Sequence, residues 1–170
     1  NLDSRDGLGA AVRSAHDCGV QMICVRAEFD YLPFTEKDFD VVIFNASLHY
    51  SQNPLSTLQK ALRLLKENGV LYVLDSPLYQ DNGSGRAMIQ ERRTELKKSL
   101  GKDVPPETKG SFLLQDDLER LRGHYDLSLL SPRYGLNWFL RPAVAHLLRR
   151  RSPASFAVIK VKNRAPMEIP

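Results

Sequence analysis

The chain has 170 residues, of which 42% are hydrophobic and 26% charged, and its formal net charge is +4. That is enough apolar material for one domain-sized core, and it excludes a disordered, collagen-like or coiled-coil polypeptide. No apolar run approaches the length of a membrane-spanning helix, and two cysteines, Cys18 and Cys24, cannot build a disulfide framework. A single domain over residues 1–170 is therefore expected, in a cytoplasmic setting where thiols stay reduced. No Cys/His cluster has zinc spacing, so no metal is expected. The charge is uneven: residues 1–85 carry 7 Lys/Arg against 11 Asp/Glu, and residues 86–170 carry 17 against 9. A basic half attracts phosphates or anionic lipid. No aromatic-and-basic RNA-binding motif accompanies it, so nucleic acid is not expected as a partner.

In chain order, Gly7 to Gly19 reads as a helix, with Leu8, Ala11, Val12 and Ala15 on one face. Val20 to Val25 (VQMICV) reads as a short strand, and Glu28 to Asp38 as a loop. Phe39 to Phe44 (FDVVIF) is an almost continuous apolar run, the pattern of a strand buried on both faces. Leu55 to Lys66 is an amphipathic helix, which Asn53 can cap with Pro54 at its first position. Asn68-Gly69 ends it, and Val70 to Leu74 is a second buried strand. This alternation predicts a parallel α/β sheet with right-handed crossovers, and ligands beyond the carboxyl ends of its strands.

The second half is more polar. A helix is expected over Arg86 to Leu100, a loop at Val104-Pro105-Pro106, and another helix over Phe112 to Arg122. Asp126 to Leu130 and Ala154 to Val161 read as strands that pair antiparallel at the sheet edge. Between them, a basic helix is expected from Pro142 to Arg151.

One series of motifs runs through the first half. Leu32-Pro33-Phe34 precedes Phe39-Asp40-Val41-Val42-Ile43, then Leu48-His49-Tyr50, then Lys66-Glu67-Asn68-Gly69-Val70-Leu71. In this order and spacing it resembles the class I S-adenosylmethionine (SAM) dependent methyltransferases, especially their small-molecule group, over about residues 3–79. The resemblance implies a Rossmann-like sheet, mostly parallel with an antiparallel edge strand. It implies SAM as cofactor and a small-molecule acceptor, lipid-like or carbohydrate-linked. By position, Asp3 resembles the carboxylate that accepts from both ribose hydroxyls of SAM; Asp6 is its rival, although Asp6 also suits the start of a helix. Glu28 stands where the family usually has an Asp accepting from the adenine amino group, and Phe29 would address the adenine ring. Asn45, Ala46 and Ser47 would line the methionine part of the cofactor. His49 and Tyr50 are the catalytic candidates, with Asp75 as a further possible base, and Tyr79 and Met88 are candidates for touching the acceptor.

The family's glycine-rich loop is not recognisable. Gly7-Leu8-Gly9 sits inside a helical pattern and lacks a preceding strand. The resemblance thus implies that the first strand and most of the second precede Asn1, in roughly 40–60 residues. It also implies a lid or acceptor-side insertion over residues 80–110, with Gly83 and Gly85 as hinges. Arg149, Arg150 and Arg151 are candidates for peripheral contact with anionic lipid, although cations at a helix C-terminus also simply stabilise it. Two other readings remain open: a non-catalytic binding module with a degenerate form of this fold, and a nucleotide-binding oxidoreductase, against which the motif series argues.

Overall fold

The structure, a computed structural model, describes residues 7–28, 31–101, 112–132 and 135–164. It divides into two compact units, Asn1–Pro33 and Phe34–Pro170. The first unit holds helix α1, Leu8–Asp17, which ends at Gly19 in the left-handed conformation (φ 66°). Val20 to Val25 was expected to be a strand but forms none. A strand exists only through ladder partners, and no described residue of this unit offers one. Its apolar side chains stay exposed, Ile23 by 91%.

The second unit is built on a four-stranded sheet in the order β1-β2-β6-β5. Strands β1 (Phe39–Asn45) and β2 (Leu65–Leu74) run parallel, connected by helix α2 (Pro54–Arg63). Asn53 caps α2 as expected, its Oδ1 accepting from the Ser56 amide at 3.1 Å, with Pro54 in the first turn. Strands β5 (Asp126–Leu130) and β6 (Val158–Lys162) close the other side, with β6 antiparallel to both β2 and β5. The sheet is thus Rossmann-like and mixed, with the antiparallel strand between β2 and β5.

Register gathers the apolar residues onto one face. Val42 pairs with Leu71, which pairs with Val161, which pairs with Leu127; Phe44, Val73, Ile159 and Leu129 form the next row. Leu71, Val73 and Val161 are fully buried. Helix α2 packs on β2 through Leu58, Ala61 and Leu62, and helix α4 (Gln115–Arg122) packs on β5 through Leu118 and Leu121. The opposite face is more open. Val41 is 47% and Ile43 56% exposed, and among the described residues β1 lies at the edge of the sheet, so it is not the doubly buried strand its composition suggested. Composition reports what a strand can bury; neighbours decide what it does bury.

A smaller parallel pair, β3 (Leu78–Tyr79) with β4 (Leu113–Leu114), flanks helix α3 (Asn82–Leu100), capped by Asp81. Two-residue strands carry no periodicity, so the sequence holds no signal for this pair. The expected helix from Phe112 therefore starts only at Gln115. The basic helix expected from Pro142 is also shifted. Helix α5 spans Leu136–Leu147 with Pro142 inside it, so Arg149–Arg151 lie beyond its end. The apolar period from Leu136 sets the earlier start. The Val104-Pro105-Pro106 loop lies outside the described residues.

Gly85 is a packing position. A Cβ there would come within 2.4 Å of the Phe112 ring, which stacks edge-on against Tyr79 at 5.5 Å. Gly85→Ala should therefore lower the unfolding free energy by about 1–3 kcal/mol through overpacking. Urea titration checks this, and Phe112→Leu in the same chain should restore part of the loss.

Candidate functional site

The carboxyl ends of β1 and β2 lie side by side, because the two strands are parallel and paired up to Asn45 and Leu74. Each chain turns off its strand through a left-handed non-glycine residue: Ala46 (φ 46°) after β1 and Asp75 (φ 49°) after β2. Such a conformation costs about 1–2 kcal/mol for an L-residue and persists only where surroundings impose it. Here the Ala46 amide donates to the Leu74 carbonyl at 3.0 Å, which ties the two exits together. Asn45 and Ala46 are exposed and Ser47 is half-buried.

Next comes a single 3-10 turn, Leu48–Tyr50, anchored by Leu48, which is fully buried. The turn is held to α2 by Ser51 and Thr57, whose hydroxyls are 2.6 Å apart in the interior. This places His49, 9% exposed, with Nδ1 3.3 Å from the Ser76 hydroxyl at the exit of β2. The Tyr50 ring lies 4.3 Å from the imidazole and is itself 61% exposed. Burial, with the Arg92 guanidinium adding to it, pushes the His49 pKa below its ordinary 6.5. The imidazole is therefore neutral near pH 7, the form able to take up a proton. Ser76 was missed as its partner; the signal was only its position one residue past a strand exit.

Tyr79 is 2% exposed, and its hydroxyl accepts from Arg151 at 3.2 Å. Burial raises its pKa, which keeps the phenol protonated. Met88 is half-buried on α3. Asp75 is exposed. In the first unit, Glu28 is exposed and forms an isolated bridge with Tyr31. Asp3, Asp6 and Phe29 lie outside the described residues. The strand exits thus bring together Asn45, Ala46, Ser47, His49, Tyr50 and Ser76. A cavity of about 550 Å³, lined by Lys37, Leu65, Glu67, Lys162 and Arg164 among others, lies by the amino end of β2. That is the opposite end of the sheet from where such folds bind ligands. Among the described residues no cluster of side chains suits a metal ion, and no helix is long and apolar enough to cross a membrane.

The lowered His49 pKa carries a stability consequence. The unfolded chain takes up a proton near pH 6.5 that the folded chain resists, so stability is full above that pH and falls as the pH drops toward the lowered value. Thermal melting at neutral and mildly acidic pH should show this loss, and His49→Gln should make it smaller. An equal loss in both proteins would place the acid sensitivity elsewhere.

Residues 4–73 match the methyltransferase domain family. No curated protein matches the sequence significantly. Among solved structures, a methyltransferase-like protein from Bacillus halodurans C-125, described as putative, superposes with a TM-score of 0.52 at 16% identity, over 92% of this chain and 78% of its own. The YcgJ protein of Bacillus subtilis gives 0.54 at 14%, over 92% and 78%. The [4+2]-cyclase SpnF gives 0.53 at 19%, over 93% of this chain and 62% of its own. At these identities the structural likeness speaks for the fold, and the cyclase is a reminder that this fold hosts more than one reaction. The methyltransferase assignment comes from the family match over the first two strands of the sheet, and SAM is the cofactor it entails. Residues 4–73 thus carry a methyltransferase-domain match, set on a mixed Rossmann-like sheet of the same fold as these solved structures.

Proposed function

We propose that this chain transfers the methyl group of SAM to a small-molecule acceptor, lipid-like or carbohydrate-linked, in the cytoplasm. The observation that carries the reading is the pair of tied, left-handed strand exits at Ala46 and Asp75, with His49 and Ser76 meeting beside them. Strain and a buried titratable side chain coincide where a parallel sheet binds its ligands. The groups present suit the cofactor. Asn45 and Ser47 carry an amide and a hydroxyl suited to its amino-acid portion; by the sequence resemblance alone, Asp3 is assigned to the ribose hydroxyls and Glu28 and Phe29 to the adenine. When bound, SAM supplies a methyl group already activated on a sulfonium, so the protein's tasks are positioning, exclusion of water and handling of a proton.

His49 is assigned the proton. In the tautomer in which Nδ1–H donates to the Ser76 hydroxyl, Nε2 is the acceptor that a general base requires. Tyr50 shields that ring from solvent. Segment 80–110 is assigned to the acceptor side, with Met88 facing the acceptor and Tyr79 fixing Arg151. Gly85 does not fit the hinge role, since it is locked against Phe112. The free thiols of Cys18 and Cys24 are in keeping with a reducing compartment.

Calorimetry with SAM on the complete chain tests the cofactor map. Asp3→Ala and Glu28→Ala should each weaken binding by about tenfold or more, the worth of a hydrogen bond to a charged group. Unchanged affinity in both variants removes the map. His49→Gln should leave SAM affinity near that of the parent chain and lower methyl transfer by about 10²-fold or more. Cofactor binding without methyl transfer to any acceptor would instead favour a non-catalytic module, or a different reaction on the same fold.

A further inference from the structure

Helix α5, Leu136–Leu147, presents its apolar stripe to solvent. Leu136, Phe139, Leu140, Val144 and Leu147 follow the spacing of one helical face, yet they are 77%, 80%, 45%, 50% and 81% exposed. Leu148, just past the helix, is 54% exposed. The side turned to the protein is the less apolar one. Trp138, Arg141 and Ala145 are half-buried there, with the Arg141 guanidinium 3.9 Å over the Trp138 ring and Phe156 6.2 Å from that ring. A surface helix normally turns its apolar stripe inward. A single exposed leucine is ordinary, but a continuous patch of this kind marks an interaction surface.

Charge indicates what covers it. From Ser131 to Pro153 the chain holds five arginines and no acidic residue. Arg149 and Arg150 project just beyond the helix end and are exposed. Arg151 is fixed by Glu91 at 2.7 Å and by the Tyr79 hydroxyl, beside a cavity of about 600 Å³ that Arg141, Arg149 and Arg150 also line. A second copy of this chain on the same face would bring like charges together around the two-fold axis. An anionic bilayer supplies hydrocarbon for the stripe and phosphates for the arginines, without needing a complementary shape. With 12 residues α5 is about 18 Å long, too short to span a bilayer but suited to lie on one.

We propose that α5 lies in the interface of an anionic lipid bilayer, with Phe139 and Leu147 entering the acyl boundary and Arg149 and Arg150 on the headgroup phosphates. The inference deepens the proposed function by bringing the acceptor side of the enzyme to a lipid surface. Vesicle binding is read without cofactor or turnover, so its failure and the failure of methyl transfer are separate results.

The test is co-sedimentation of the full chain with vesicles of phosphatidylcholine containing phosphatidylglycerol, beside vesicles of phosphatidylcholine alone. Binding should favour the anionic vesicles and weaken with salt. Arg149→Ala with Arg150→Ala should reduce partitioning roughly twenty-five-fold, at about a fivefold effect per arginine. Phe139→Ser with Leu147→Ser should reduce it by about tenfold or more, while leaving the melting temperature unchanged because both side chains are already exposed. Three results would each overturn the proposal: no preference for anionic vesicles, full binding by the serine variant, or a solution dimer that the serine replacements dissolve.

Discussion

Strand β2 is the member on which the second unit is registered. It pairs parallel with β1 on one side and antiparallel with β6 on the other, and its Leu71 and Val73 sit in the middle of both buried rows. Because side chains alternate at a period of two, a slip of one residue would carry Leu71 and Val73 to the open face and leave α2 without a surface to cover. The same strand delivers the site. Its last residue, Leu74, accepts from the Ala46 amide, and two residues further on Ser76 meets His49. The core and the contacts at the strand exits are therefore set by one register.

This coupling explains why the strand exits tolerate strain. Ala46 gains nothing locally from a positive φ, and glycine would adopt it more cheaply. The conformation is imposed by two fixed points, the Leu74 carbonyl on one side and the buried Leu48 on the other. Ser51 and Thr57 then bind the following turn to α2, so His49 is held by backbone geometry and needs no ion pair. A buried, neutral imidazole beside an exposed aromatic ring is the kind of group a methyl transfer uses when its acceptor must lose a proton.

The basic half of the chain has two distinct organisations. Arg151 is engaged with Glu91 and Tyr79, so the segment just after α5 is tied to α3 and β3, while Arg141 lies on Trp138 within α5 itself. Arg149 and Arg150 continue past the helix into solvent beside the outward apolar stripe. A count of positive charge alone merges the two, although one group stabilises the fold and the other faces outward.

Much of the sheet was legible in the sequence because its signals are local. The run FDVVIF, the Asn53-Pro54 cap and the alternating VIKVK each report φ/ψ preference and side-chain period within a few residues, and each became the element it announced. The LPF, FD and LH series likewise announced the methyltransferase-domain match over residues 4–73, since its spacing records the turns between those elements. What needed the tertiary structure was every property that depends on a partner. VQMICV has the composition of a strand but finds no ladder, β1 has the composition of a buried strand but lies at an edge, and β3 and β4 are too short to have a period at all. The pairing of His49 with Ser76 spans 27 residues, and the direction in which α5 turns its stripe depends on which neighbours it meets. The sequence by itself determined which segments could be helix or strand and which family its first half resembles, because those follow from short-range sterics and spacing. Only the tertiary structure decided which faces are buried and which side chains meet, because burial and pairing are properties of two surfaces and not of one.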